Sequence, residues 1–157
     1  MKSLAAPVSL AMIAVLASHT LSLHAEGQID PDALFEQGRS YYEQSEYAQA
    51  RTRFEKLVEI APDVSGYHHW LGKCYGRIAE NSGWLDAISF SKKTLKALEK
   101  AVELDGDNIA ALEDLMTYYQ QAPAFLGGSD KKARTIARHL QKLQDKENMT
   151  EFSGSVN

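Results

Sequence analysis

Residues 34–63 read LFEQGRSYYEQSEYAQARTRFEKLVEIAPD, and their apolar side chains return at helical spacing, not at the two-residue alternation of a strand. Leu34, Gly38 and Tyr41 share one face of a first helix, and Ala50, Phe54 and Leu57 share one face of a second. Pro62 stops the second helix and fixes the turn that follows. The segment therefore predicts a helical hairpin with two apolar stripes, more than one hairpin can bury by itself.

The pattern returns downstream. Gly38 falls on Gly72 and Tyr41 on Tyr75, each 34 residues on, and Leu71 falls on Leu115 and Tyr75 on Tyr119, each 44 residues on. The second helices recur as well: Ala50, Phe54 and Leu57 match Thr94, Leu98 and Ala101, and then Ala133, Ala137 and Leu140. Gly38, Gly72 and Ala50 are small where two helices of a hairpin approach closely, and the three tyrosines fill the space between hairpins. Stacked hairpins of this kind bury their stripes against one another, which gives an all-α fold.

The matched residues resemble the tetratricopeptide repeat, a helix-turn-helix unit. The resemblance covers roughly 31–145, with repeats at about 31–64, 65–108 and 109–145, and 31–64 fits best. It implies a right-handed α-solenoid of three hairpins. Departures from the pattern are Leu34, His68 and Leu112 where the family often carries tryptophan, Gly106 in place of the inter-repeat proline, and Met116 in place of the third glycine. The chain is also similar to exported bacterial members with an "AP…GG" loop at this place, a likeness that implies no activity.

Two insertions interrupt the period. From Tyr41 to Ala50 is nine residues, from Tyr75 to Thr94 nineteen, and from Tyr119 to Ala133 fourteen. Trp84, Ile88, Leu95, Leu98 and Val102 keep a helical stripe, so the first insertion reads as an extension of the second helix of repeat two, capped around Ser82. The second is 121–130, QAPAFLGGSD: Pro123 stops a helix, the glycines permit a sharp turn, and Ser129 or Asp130 caps the last helix. Both lie on the same edge of the stack, which predicts a lateral lobe in which Phe125 and Leu126 cover Trp84, Ile88 and Phe90.

The remainder of the chain bounds its setting. Of 157 residues, 44% are hydrophobic and 24% charged, which suits one domain with a core. Residues 1–25 carry Lys2, an apolar run from 4 to 16, and a more polar segment ending Leu23-His24-Ala25, the plan of a secretory signal peptide. Cleavage after Ala25 leaves a linker at 26–30; retention of the segment as an anchor is the alternative. Without Lys2 there are 16 basic against 21 acidic residues, net charge −5, which argues against nucleic acid as a partner. The resemblance to exported bacterial members implies the periplasm. Residues 146–157 lack apolar periodicity and predict a disordered tail.

No catalytic constellation is found, so neither an enzyme nor a cofactor or metal site is expected. His68 and His69 are neighbours on a helix and point about 100° apart, which suits no shared metal. Cys74, the only cysteine, excludes an internal disulfide and reads as a buried thiol. The GGSDKKA stretch offers amides and two lysines to an anion, yet it lacks a phosphate-loop pattern and reads first as a capped helix start.

A concave groove is then the expected site, on the first helix of each hairpin: Phe35, Arg39 and Tyr42; His69, Lys73 and Arg77; Glu113, Thr117 and Gln120. Its basic residues, in an acidic chain, predict capture of an acidic segment or carboxyl terminus of a protein partner. The asparagine and lysine arrangement of the carboxylate-clamp subclass is not reproduced. The function implied is a protein-interaction adaptor, with a self-assembling structural module or an accessory subunit of an envelope complex as alternatives. Amino-terminal sequencing of the exported product is expected to begin at Glu26; recovery of a membrane-bound chain still beginning at Met1 overturns the cleavage.

Overall fold

The computed structural model of the chain describes residues 29–154. The expectations for residues 1–25 and for most of the 26–30 linker lie outside the described residues. Among the described residues the elements are all helical: α1 (Pro31–Glu43), α2 (Tyr47–Ile60), α3 (Ser65–Glu80), α4 (Trp84–Leu104), α5 (Ile109–Gln121), a short 3-10 turn (Ala124–Leu126) and α6 (Asp130–Gly154). Each helix packs chiefly on the one before and the one after it, and α3 additionally reaches α5.

Close approach within the first two hairpins depends on absent side chains. A Cβ on Gly38 would stand 2.8 Å from Cζ of Phe54, and one on Gly72 would stand 2.9 Å from Cδ2 of Leu98. Phe54 and Leu57 are completely buried, with Ala50, Leu71 and Cys74, in a core contributed by α2 and α3 and flanked by Phe35 and Tyr41 of α1. Leu98, Leu115, Tyr119 and Ala133 form a second cluster between α4, α5 and α6.

The residues added in repeat two are shared between its helices. Counting from matched positions, α3 runs three residues past the end of α1, and α4 starts seven residues before the start of α2. The hairpin is thus lengthened on both arms, and not on its second helix alone as the stripe at Trp84 and Ile88 suggests. Ser82 does not cap α4: its hydroxyl donates back to the carbonyl of Ile78 at 2.6 Å and so ends α3, while Gly83 stands at the N-cap. Ser129 does cap α6, accepting from the amide of Lys132.

The lateral lobe is built differently from the expectation. The 3-10 turn rests on α4 near Ser91, where the Tyr118 hydroxyl lies 2.9 Å from both the Ser91 and Leu126 carbonyls. Gly127 takes φ +98 beside Leu95, and Gly128 lies where any Cβ would overlap the Ala122 carbonyl. Leu126 and Ile88 are half-buried, but Trp84 is 73% and Phe125 71% exposed, so these two rings do not bury each other. Phe90 turns instead onto Tyr75, with ring centroids 6.0 Å apart. The reason is geometric: the polar bridge from Tyr118 anchors the turn at Ser91, two helical turns short of Trp84.

The carboxyl-terminal helix also corrects a reading. It continues to Gly154, through most of the stretch whose lack of apolar periodicity predicts a disordered tail from 146. Lys146, Glu147, Met149 and Glu151 are good helix formers without an apolar stripe, so periodicity underestimates its length.

Gly38→Ala gains the alanine helix preference of about 1 kcal/mol but overpacks a ring that cannot withdraw, at about 1–3 kcal/mol, so a net loss is expected. Gly66 in α3 has nothing within 4 Å of a built Cβ. Gly66→Ala is therefore expected to stabilise by about 0.5–1 kcal/mol. Urea unfolding of both variants checks this; an equal or greater midpoint for Gly38→Ala than for the parent contradicts the packing.

Candidate functional site

An aromatic group positions the cations that the sequence assigns to the groove. Trp70 stacks on Phe54 at 5.6 Å and 15°, and meets Phe35 and Tyr42 edge-on. Lys73, one turn along α3, places Nζ 4.3 Å from the Trp70 ring centroid and 5.3 Å from that of Tyr42. Arg39 of α1 lies over the same indole at 5.7 Å. Burial pushes the Tyr42 hydroxyl up to about 12, so it stays protonated at neutral pH.

Three of the four predicted cations have carboxylate partners. Arg39 pairs with Glu36 and Glu43 on its own helix, Arg77 pairs with Glu80 and also donates to the Tyr47 hydroxyl, and His69 meets Asp114 across the groove. His69 is buried, and its Nε2 donates to Asp114 Oδ2 at 2.7 Å, because a carboxylate only accepts. The hydrogen bond that Arg77 donates to Tyr47 and the charge of Glu80 hold its guanidinium above the usual range. Lys73 has rings beneath it and makes no ion pair among the described residues, although Glu80 and Asp114 share its cleft. Lys73 is therefore the one residue of the four without an ion-pair partner.

A cleft of about 200 Å³ opens beside this lysine, between α1, α3 and α5. Tyr42, Lys73, Arg77, Thr117, Asp114 and Gln121 line it, with Thr94 and Leu98 of α4 at its floor. In the third hairpin only Thr117 of the predicted trio lines this cleft. Glu113 lines a separate cleft between α5 and α6, with Met116 and Leu140, and Gln120 is exposed away from both. The inward stripe is Asp114, Thr117 and Gln121, so Thr117 stands where expected and the other two fall one position later than Glu113 and Gln120. Phe35 is half-buried at the flank of the core, packed against Phe54 and Tyr67 and edge-on to Trp70, and does not line this cleft.

Some residues that matter were not singled out by the sequence. Tyr75 donates to Glu55 and Tyr119 to Glu99, the same bond between successive hairpins, twenty residues apart in each case. Glu55 and Glu99 themselves recur at the 44-residue interval, which is the signal that finds them. Asn108 caps α5 by accepting from the Ala111 amide, and donates to the Ser65 hydroxyl, which in turn donates to the Ala101 carbonyl.

The other candidate chemistries have structural explanations. Burial pushes the Cys74 thiol up to about 12, which leaves no thiolate to react at neutral pH. His68 Nε2 faces the Pro62 carbonyl at 2.7 Å, away from His69 and its partner. In the GGSDKKA stretch the amides of Gly127, Gly128 and Ser129 already meet the carbonyls of Ala124, Pro123 and Tyr119, and Lys132 pairs with Glu99. Among the described residues no group of three His, Cys, Asp or Glu is placed to hold a metal ion. No described helix is long and apolar enough to cross a membrane.

Residues 31–64 match the tetratricopeptide repeat family model, so the unit formed by α1, α2 and the turn into α3 is similar to that repeat. Such repeats are protein–protein interaction modules and are typically not catalytic. No match to the chain was found among curated proteins.

With its ring in solvent, Phe125 contributes little to folding. Phe125→Ala is expected to change stability by less than about 0.5 kcal/mol, the range of exposed positions. A loss of about 3 kcal/mol or more in urea unfolding, the size seen on truncating a buried phenylalanine, would show the ring packed instead.

Proposed function

We propose that the chain is an exported, periplasmic, non-enzymatic adaptor whose three hairpins wind as a right-handed tetratricopeptide-type solenoid and hold a segment of a partner protein in the groove. The observation that carries this reading is Lys73: an ammonium on an aromatic floor, with no carboxylate of its own, at the mouth of a cleft. A cation so placed can exchange water for an incoming carboxylate at lower cost than Arg39 or Arg77, which would first give up Glu36, Glu43 or Glu80.

The cleft volume, about 200 Å³, is below the roughly 300–1,000 Å³ of drug-sized pockets, so a chain terminus or a short side chain suits it better than a bulky ligand. Asp114 and Gln121 add an acceptor and an amide along the cleft for the backbone of the bound segment. The favoured ligand is thus an acidic segment or a free carboxyl terminus. Binding is moderate and weakens with salt, since the groove is open to solvent.

Fluorescence anisotropy with short acidic peptides, each made with a free and with an amidated carboxyl terminus, tests this. The free forms are expected to bind, the amidated forms more weakly. Lys73→Ala is expected to lose about 10- to 100-fold, the equivalent of a charge-assisted hydrogen bond of about 1.5–3 kcal/mol. Equal binding by parent and Lys73→Ala, or no saturable binding of any peptide, removes the site from this cleft.

A further inference from the structure

The edge that carries both insertions presents apolar side chains with nothing over them. Trp84 is 73%, Leu85 64% and Phe125 71% exposed. Trp84 stands on the stripe of α4 that continues through Ile88 to Ser91, and the 3-10 turn bearing Phe125 is fixed at Ser91 by Tyr118. Seven residues of α-helix separate Trp84 from Ser91, about 10 Å along the axis. The three side chains therefore lie along one edge, with half-buried Ile88 and Leu126 between them.

Exposed lysines cluster beside this edge. Lys92, Lys93 and Lys96 are exposed on the next two turns of α4, and Lys131 is exposed at the start of α6. Lys93 rests over Phe90 and Tyr75, and no carboxylate pairs with Lys92, Lys96 or Lys131 among the described residues. The acids nearby are Asp86, on the first turn of α4, Asp130 at the start of α6, and Glu80, which Arg77 occupies. Exposed tryptophan and phenylalanine beside unpaired lysines, in a chain that is acidic as a whole, match a water–lipid boundary: indole rings settle at the headgroup level, lysine stems lie along apolar surface, and the ammonium groups meet lipid phosphates.

We infer that the Trp84–Leu85–Phe125 edge docks on the surface of a membrane containing anionic lipid, with Lys92 and Lys96 facing its phosphates. The contact is peripheral, since no described helix can cross a bilayer. It needs both halves: a few apolar side chains give marginal attachment, and a basic cluster beside them adds the second signal. It leaves the Lys73 cleft, on the groove formed by α1, α3 and α5, free for its own ligand.

Co-sedimentation of the full chain with vesicles tests this, using phosphatidylcholine mixed with phosphatidylglycerol and, in parallel, phosphatidylcholine alone. All the altered side chains are exposed, so circular dichroism of each variant is expected to match the parent. Trp84→Ala with Phe125→Ala is expected to lower partition into the mixed vesicles by on the order of tenfold or more. Lys92→Gln with Lys96→Gln is expected to lower it by about 25-fold, about fivefold per lysine, and to change nothing on phosphatidylcholine alone. Lipids brominated on their acyl chains are expected to quench the emission that Trp84→Phe removes. Equal partition by parent and either double variant, an absence of partition, or unquenched Trp84 emission overturns the proposal; the last two results are those expected if a protein covers the edge instead.

Discussion

The stack of Phe54 on Trp70 joins the fold to the site. The Phe54 ring is fully buried and fits only because Gly38 has no side chain, so it sets the distance between α1 and α2. Its face carries Trp70 of the next hairpin, which sets how that hairpin docks. The same indole lies beneath Lys73 and Arg39, so the core ring pair also fixes the height of the cations at the cleft. Loosening this one contact would disturb hairpin, stack and groove together.

Polar bonds repeat what the apolar contacts begin. Tyr75 to Glu55 and Tyr119 to Glu99 tie each hairpin to the one before it through equivalent positions. Asn108 and Ser65 add a clasp from the start of α5 to the start of α3, and Ser65 carries it on to the Ala101 carbonyl near the end of α4. These bonds are directional, so they fix the register of one hairpin on the next where apolar packing alone would tolerate sliding.

What could be read from the sequence divides along physical lines. Period and helix number were legible, because burial imposes a spacing on Gly38, Tyr41, Ala50 and Phe54 that the chain repeats. The same logic put Lys73 and Arg77 on one face of α3, and both line the cleft between α1, α3 and α5. It failed for Glu113 and Gln120, since a small error in helix phase turns a residue through about 100°, and only contacts across hairpins, such as His69 to Asp114, fix the phase. Phe35 looked available because a stripe of large residues on an inner helix does not say which of two neighbours it packs on. The lobe failed for another reason: apolar residues in two insertions suggest mutual burial, whereas a single tyrosine hydroxyl decides where the turn is pinned. Nothing in residue types at 84 and 125 encodes that bond.

The doubly lengthened α3–α4 hairpin has a consequence for how the chain reaches this structure. It is the most extensive helix pair in the molecule, its arms are joined by only three residues, and almost every other interface is between helices adjacent in sequence. Closing so short a loop costs little entropy, and the long pair returns the most contact for it. In an array where each unit touches mainly its neighbours, order spreads outward from the strongest interface. The central hairpin is therefore expected to nucleate the array, with α2 and α5 condensing on it and α1 and α6 fraying first.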